Sequence, residues 1–226
     1  MTAGRECGTR LRRPGAVLFD WDSTLVDNWG AIACALNATL VAMGHAPWSE
    51  DEVRRRATAS ARDAFRRLFA DRDREALEMF YRELDAIHAD EVRPLPGATE
   101  LLEVLGRHGV PMGVVSNKNG RHLRVEAERL GWTDRFVRLV GAADAEADKP
   151  DIAPVRLALA GTGVEPGPEV WFVGDSAVDL QCAHLARCVP ILIQGGVICH
   201  ADLGKWQPRH VFACRADLQA AFLDCV

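Results

Sequence analysis

The feature that most constrains this 226-residue chain is the recurrence of short apolar runs between segments of helical period. The runs are Ala16-Val-Leu-Phe19, Val110 to Ser116, Phe136 to Gly141, Glu169 to Gly174, Val189 to Ile193 and the shorter His210 to Ala213. Their near-continuous Val, Ile, Leu and Phe content predicts strands covered on both faces. Helix-period segments lie between them at Ala98 to Arg107, Gly120 to Leu130, Ile152 to Ala160 and Asp179 to Ala186, and Gly131 supplies a C-terminal stop. Strand-helix alternation of this kind predicts an α/β fold built on a doubly wound, parallel, Rossmann-like sheet.

One region breaks the alternation. From Asn28 to Arg93 the pattern is wholly helical, with segments near Gly30 to Met43, Ser49 to Thr58, Ser60 to Phe69 and Asp71 to His88. Ser49-Glu-Asp-Glu52 has the form of a capping box, in which the serine oxygen accepts from the third amide and the glutamate reaches back to the serine N–H. Pro94 and Pro96-Gly97 mark the return to the core. An all-helical insert after the first strand reads as a cap over the carboxyl edge of the sheet, where such sheets bind ligands. The expected division is a core of 1–27 and 94–226 with a cap of 28–93.

The net charge of −5 gives no global attraction to nucleic acid or an anionic membrane surface. No apolar run approaches the roughly 20 residues that span a bilayer. The N-terminus carries Arg5, Arg10, Arg12 and Arg13 without an apolar h-region, which fits a solvated leader rather than a secretory signal. The cysteines are Cys7, Cys34, Cys182, Cys188, Cys199, Cys214 and Cys225, an odd and scattered set with no C-x-x-C. Cys199-His200 has no second ligand pair at zinc spacing. They read as reduced thiols used for packing in a cytoplasmic protein.

The first strand ends in Asp20-Trp-Asp22-Ser-Thr24. Side chains alternate along a strand, so Asp20 and Asp22 can face one site where it runs out. Two close carboxylates repel unless a cation lies between them or one holds a proton. That suits a Mg²⁺-dependent reaction in which one aspartate attacks and the other transfers a proton. Three more segments fall at strand ends. Ser116-Asn117-Lys118 offers a hydroxyl and an amide to a phosphate oxygen. Lys149, before Pro150, offers a point charge to a phosphate and to the attacking carboxylate. Gly174-Asp175-Ser-Ala-Val-Asp179 sets two acids four apart beside a glycine where backbone must come close.

In this order the four motifs resemble those of the haloacid dehalogenase-like hydrolase superfamily, from about Ala16 to Ile193. Asp20-x-Asp22-x-Thr24 is similar to its first motif, Ser116 to its second, Lys149 to its third and Gly174-Asp175-x-x-x-Asp179 to its fourth. The helical insert resembles the small cap that the family places between its first two motifs. Asp20 to Asp27 with Ser116-Asn117-Lys118 is most similar to members of the phosphoglycolate phosphatase type.

The resemblance implies that Asp20 is the nucleophile of an aspartyl-phosphate mechanism. Asp22 then protonates the leaving alkoxide and activates the water that hydrolyses the intermediate, with Ser116 and Lys149 assisting. Mg²⁺ takes oxygen ligands, and Asp20, Asp175 and the main-chain carbonyl of Asp22 supply them, with Asp179 as a further ligand or one sphere out. With Asp22 protonated, Asp20, Asp175 and Asp179 balance Mg²⁺ plus Lys149. The implied partner is a small phosphorylated metabolite. Thr24, Ser116, Asn117 and Lys118 are its expected contacts, with Arg62, in the turn Thr58-Ala59-Ser60-Ala61-Arg62, gripping a carboxylate such as that of phosphoglycolate. Arg54, Arg55, Arg56, Arg66 and Arg67 read as a solvated face.

A dehalogenase needs neither Asp22 nor the Asp175/Asp179 pair. A phosphosugar mutase of the β-phosphoglucomutase type shares every one of these residues. A phospho-acceptor signalling domain of the receiver type shares the acids, hydroxyl and lysine, but lacks the helical insert and the acid at Asp22. Ser23 and Arg187 stand where the family places glycine. If Arg187 is left-handed, it costs about 1 kcal/mol, a burden on stability rather than on catalysis.

Overall fold

The computed structural model describes residues 11–56, 60–87, 92–194, 203 and 205–226. Strand β1 (Ala16–Phe19) is followed by the two-residue β2 (Val26–Asp27) and four helices, α1 (Trp29–Ala42), α2 (Glu50–Arg56), α3 (Ala61–Phe69) and α4 (Asp73–Ile87). The short β3 (Arg93–Pro94) then pairs antiparallel with β2. The chain continues through α5 (Ala98–Arg107), β4 (Met112–Asn119), α6 (Gly120–Arg129), β5 (Arg138–Ala142) and α7 (Ala153–Leu159). It ends with β6 (Val170–Gly174), α8 (Ala177–Leu185), β7 (Val189–Ile193), β8 (His210–Phe212) and α9 (Arg215–Leu223).

β1 has apolar residues on both faces because both are covered. Val17 and Phe19 pack with Leu101 of α5, Leu123 of α6 and Leu218 and Phe222 of α9. Ala16 and Leu18 pack with Val155 and Ala158 of α7 and Cys182 and Ala183 of α8. The neighbours split in the same way: Trp171 and Val173 of β6 join the first layer, Val170 and Phe172 the second. This is period-two alternation between two apolar layers. Each large side chain so buried contributes about 1.5–3 kcal/mol.

The main sheet has the order β5-β4-β1-β6-β7-β8 with every pairing parallel. From β1 the chain winds outward through β4 and β5, then returns to the opposite side of β1 with β6. The reversal falls at β1, so the loops after β1, β4 and β6 diverge there and open a crevice at their carboxyl ends.

Helices α1–α4 hold their own apolar cluster, including Trp29, Leu36, Leu40, Val53, Phe65, Phe69, Phe80 and Leu84. The capping box before α2 is formed: Glu52 N–H donates to Ser49 Oγ at 3.2 Å and Ser49 N–H to Glu52 Oε2 at 3.3 Å. Gly131 has φ 65 behind α6. Ser23 and Arg187 are left-handed, with φ 62 and φ 58.

β4 extends three residues beyond the expected Ser116. Its register against β5 shifts between Val115 and Asn119, and pairing resumes at Asn119 and Ala142. Gly141 permits this, since a Cβ there would lie 2.4 Å from Gly120 Cα. α8 starts two residues before the expected Asp179 because Ser176 caps it. The β2/β3 ribbon and α9 were not anticipated. Among the described cysteines, Cys182 and Cys188 are buried thiols, Cys214 and Cys225 are half-buried and Cys34 is exposed. No helix among the described residues is long and apolar enough to cross a membrane. Arg5, Arg10, Cys7, Thr58, Ala59, His88 and Cys199-His200 lie outside the described residues.

Candidate active site

Asp20 is the first residue past β1. Its N–H donates to Val173 O at 2.9 Å, extending the ladder with β6 by one step and fixing the backbone beneath the carboxylate. The chain then turns sharply, with the N–H groups of Leu25 and Val26 both donating to Trp21 O. Left-handed Ser23 is held from two sides. Trp29 Nε1 donates to its Oγ at 2.7 Å, and buried Arg215, the first residue of α9, donates to the carbonyls of Ser23 and Thr24. The turn thus keeps a non-glycine residue by satisfying its backbone from outside.

Lys149 reaches this turn from the loop before α7. Its buried Nζ donates to Asp20 Oδ1 at 2.5 Å and to Asp179 Oδ1 at 2.6 Å. The other oxygen of Asp179 accepts from Ser176 N–H at 3.0 Å and Ser176 Oγ at 2.5 Å, a capping box that aims the carboxylate inward. Gly174 makes room, since a Cβ there would lie 2.4 Å from Asp179 Cβ. Thr24 Oγ1 lies 3.5 Å from Asp175 Oδ1. Asp20, Asp175 and Asp179 each bring a carboxylate oxygen within 4.8 Å of the others.

Asp22 stands apart from that cluster. Lys118 Nζ lies 3.0 and 3.4 Å from its two oxygens and 2.8 Å from Oε1 of Glu126, a buried residue of α6. Glu126 also accepts from Trp21 Nε1 at 2.5 Å and Asn28 Nδ2 at 2.9 Å. Ser116 Oγ accepts from Lys118 N–H at 3.2 Å, which leaves its own hydrogen free to donate. Asn117 Nδ2 donates to Lys149 O at 3.1 Å, while its Oδ1 is buried without a partner. Arg62 of α3 meets the core at Asp148, with Nη2 2.8 Å from Oδ2, one residue before Lys149.

The electrostatics follow from burial. Burial pushes Asp20 up to about 7, helped by Asp179 and Asp22 and opposed by Lys149. Asp175 is raised well above the usual carboxylate range by burial and by Asp20. Asp22 is raised by burial and by Glu126, against Lys118. Burial alone would lower both lysines, but Asp179 and Asp20 hold Lys149 above its ordinary value, and Asp22 and Glu126 do the same for Lys118.

Counted formally among the described residues, Asp20, Asp22, Asp175, Asp179 and Glu126 stand with Lys118, Lys149 and Arg215, an excess of two negative charges. An oxygen-only donor set with that excess fits a hard divalent cation.

The structure gathers Asp20, Asp175, Asp179 and Lys149 in one cluster and Asp22 with Lys118 in a second. It turns Asn117 toward Lys149 and Arg62 toward Asp148. Glu126, Arg215 and Ser176 were not singled out in the sequence. The available signal for Glu126 was its place on the buried face of α6 with Leu123 and Ala127; Arg215 carried none.

Residues 17–193 match the family model described as haloacid dehalogenase-like hydrolase. The chain is 34% identical over 194 residues to the phosphoglycolate phosphatase of Rhodospirillum rubrum, covering 80% of this chain and 79% of that protein. It is 31% identical over 188 residues to the N-acetylmuramic acid 6-phosphate phosphatase of Pseudomonas aeruginosa, covering 81% and 83%. Among solved structures, a hydrolase from Pseudomonas syringae has the same fold, with a TM-score of 0.80 at 19% identity over 93% of this chain and 98% of that one. A haloacid dehalogenase-superfamily hydrolase from Ehrlichia chaffeensis aligns with a TM-score of 0.66 at 29% identity over 95% and 98%.

Proposed function

The chain belongs to the haloacid dehalogenase-like hydrolases, and we propose that it hydrolyses a small phosphate monoester through an aspartyl-phosphate on Asp20. The observation that carries this reading is the separation of the two carboxylates of the first motif. Asp20 lies in the acid cluster beside Lys149, whereas Asp22 is turned out of it onto Lys118. In this reading one attacks and the other handles protons.

Lys149 holds Asp20 in line and counters the charge of the incoming phosphate. An Asp20 oxygen attacks phosphorus as the ester oxygen departs, and Asp22 gives that oxygen a proton. Asp22, now a carboxylate, takes a proton from water, which attacks the phosphorus of the aspartyl-phosphate and frees Asp20 and inorganic phosphate. The Ser116 hydroxyl donates to a phosphoryl oxygen, and Thr24 steadies Asp175. Asp20, Asp175 and Asp179 would hold Mg²⁺, which supplies charge neutralisation for phosphate and carboxylates together.

Residues 28–93 act in this reading as a cap domain over the core formed by 1–27 and 94–226, supported by the separate apolar cluster of α1–α4. Phosphoglycolate is the first substrate to test, since a relative that this chain matches over four-fifths of its length carries that name. Arg62 would then leave Asp148 for the substrate carboxylate. The test is phosphate release from a panel of esters, including phosphoglycolate and sugar phosphates, with and without Mg²⁺, beside D20N. Turnover that requires both Mg²⁺ and Asp20 is expected. Turnover by D20N, or none on any ester by the folded protein, overturns the proposal.

A further inference from the structure

Glu126 is a fully buried carboxylate on the apolar face of α6, between the core residues Leu123 and Ala127. An ion pair in such a place commonly contributes less stability than apolar residues of the same size. Its surroundings do not read as a packing accident. Trp21 Nε1 and Asn28 Nδ2, from either side of the Asp22 turn, both donate to it, and Lys118 Nζ joins it to Asp22.

We propose that Glu126 is a positioning residue: through Lys118 it fixes the Asp22 carboxylate where the leaving oxygen and the attacking water exchange protons. The inference rests on the phosphatase reading above. A lysine ammonium is a compact charge on a flexible four-carbon stem with three donors. Facing Asp22 alone, it would be free to follow that side chain or to swing toward the substrate phosphate. Facing Glu126 as well, whose oxygens are set by a rigid indole and a buried amide, it becomes a fixed post. Asp22 hands its proton to the ester oxygen as the P–O bond breaks and takes one from water as the new bond forms. Lys118 and Glu126 exchange none.

The inference has a signature that a purely structural role lacks. An alkyl leaving group must be protonated, whereas nitrophenolate leaves without help. E126Q keeps the shape and loses the charge that holds Lys118. In single-turnover measurements with Mg²⁺, E126Q is expected to slow phosphoryl transfer from phosphoglycolate or a sugar phosphate by roughly 10- to 100-fold. KM should be unchanged, and the nitrophenolate burst from p-nitrophenyl phosphate nearly so. Thermal melting of each variant confirms the fold. The double variant K118M/E126Q removes both charges while an amide oxygen remains to accept from Trp21 and Asn28, and is expected to show the same selectivity. Equal losses on alkyl and aryl esters overturn the inference, as does a raised KM with kcat intact, which would make Lys118 a substrate contact. No turnover by the unsubstituted protein overturns the phosphatase reading and this inference with it.

Discussion

At the scale of single residues, the site is assembled from positions that pay no respect to local preference. Ser23 sits at φ 62, where glycine is the unstrained choice, and is retained because Trp29 and Arg215 hold its side chain and its carbonyl. Arg187 is left-handed at φ 58 in the exposed turn between α8 and β7. R187G should therefore raise the unfolding free energy by about 0.5–1 kcal/mol in urea titrations. Its kcat/KM should not change. A destabilised R187G would mean that the arginine side chain makes up for its backbone. Both positions were legible in the sequence, because each departs from glycine where the family motif turns. Arg215 was not, since its value lies in a contact with residues almost the whole chain away.

At the scale of elements, the carboxyl ends of β1, β4 and β6 deliver parts of the site, and at β6 a helix start fixes one of them. β6 ends at Gly174, and the capping box of α8 turns the Asp179 carboxylate back over that glycine toward Lys149. G174A would set a Cβ 2.4 Å from Asp179 Cβ and push the carboxylate off its lysine. The expected result is a weaker response to Mg²⁺, read as a rise of at least tenfold in the Mg²⁺ concentration for half-maximal activity, of the size that loss of a ligand-orienting partner causes. Unaltered Mg²⁺ dependence in G174A would contradict the role given to this corner.

The sequence made the six parallel strands and the flanking helices readable because buried strands and helices carry strong, different periods. It placed α5 and β7 at their observed limits. The two-residue strands of the β2/β3 ribbon are too short to carry a period. α9 was missed because no motif drew notice to the tail. Asp20, Asp22, Lys149, Asp175 and Asp179 were legible from motif spacing. Glu126 was not, because a glutamate on a helix ordinarily reads as solvated.

At the scale of the whole molecule, the fold concentrates negative charge where β1, β4 and β6 end, and this couples stability to pH and metal. Burial raises the Asp20 carboxyl from 3.8 to about 7. Between those values the native state holds a proton that the unfolded chain has released, so this group's stabilising contribution is complete below about pH 4 and lost as pH rises through 7. Mg²⁺ should therefore raise Tm more at pH 8 than at pH 5. A larger shift at pH 5 would contradict the acid cluster as the binding site.

The central claim is a covalent intermediate on Asp20, and D22N examines it most directly. Without the proton carrier, p-nitrophenyl phosphate can still phosphorylate the enzyme, but water is not activated to release it. Rapid acid quench followed by peptide mass spectrometry should find one phosphoryl group, on Asp20, together with a stoichiometric burst of nitrophenolate. Phosphate on another residue, or sustained turnover by D22N with Asp20 unmodified, would contradict the account.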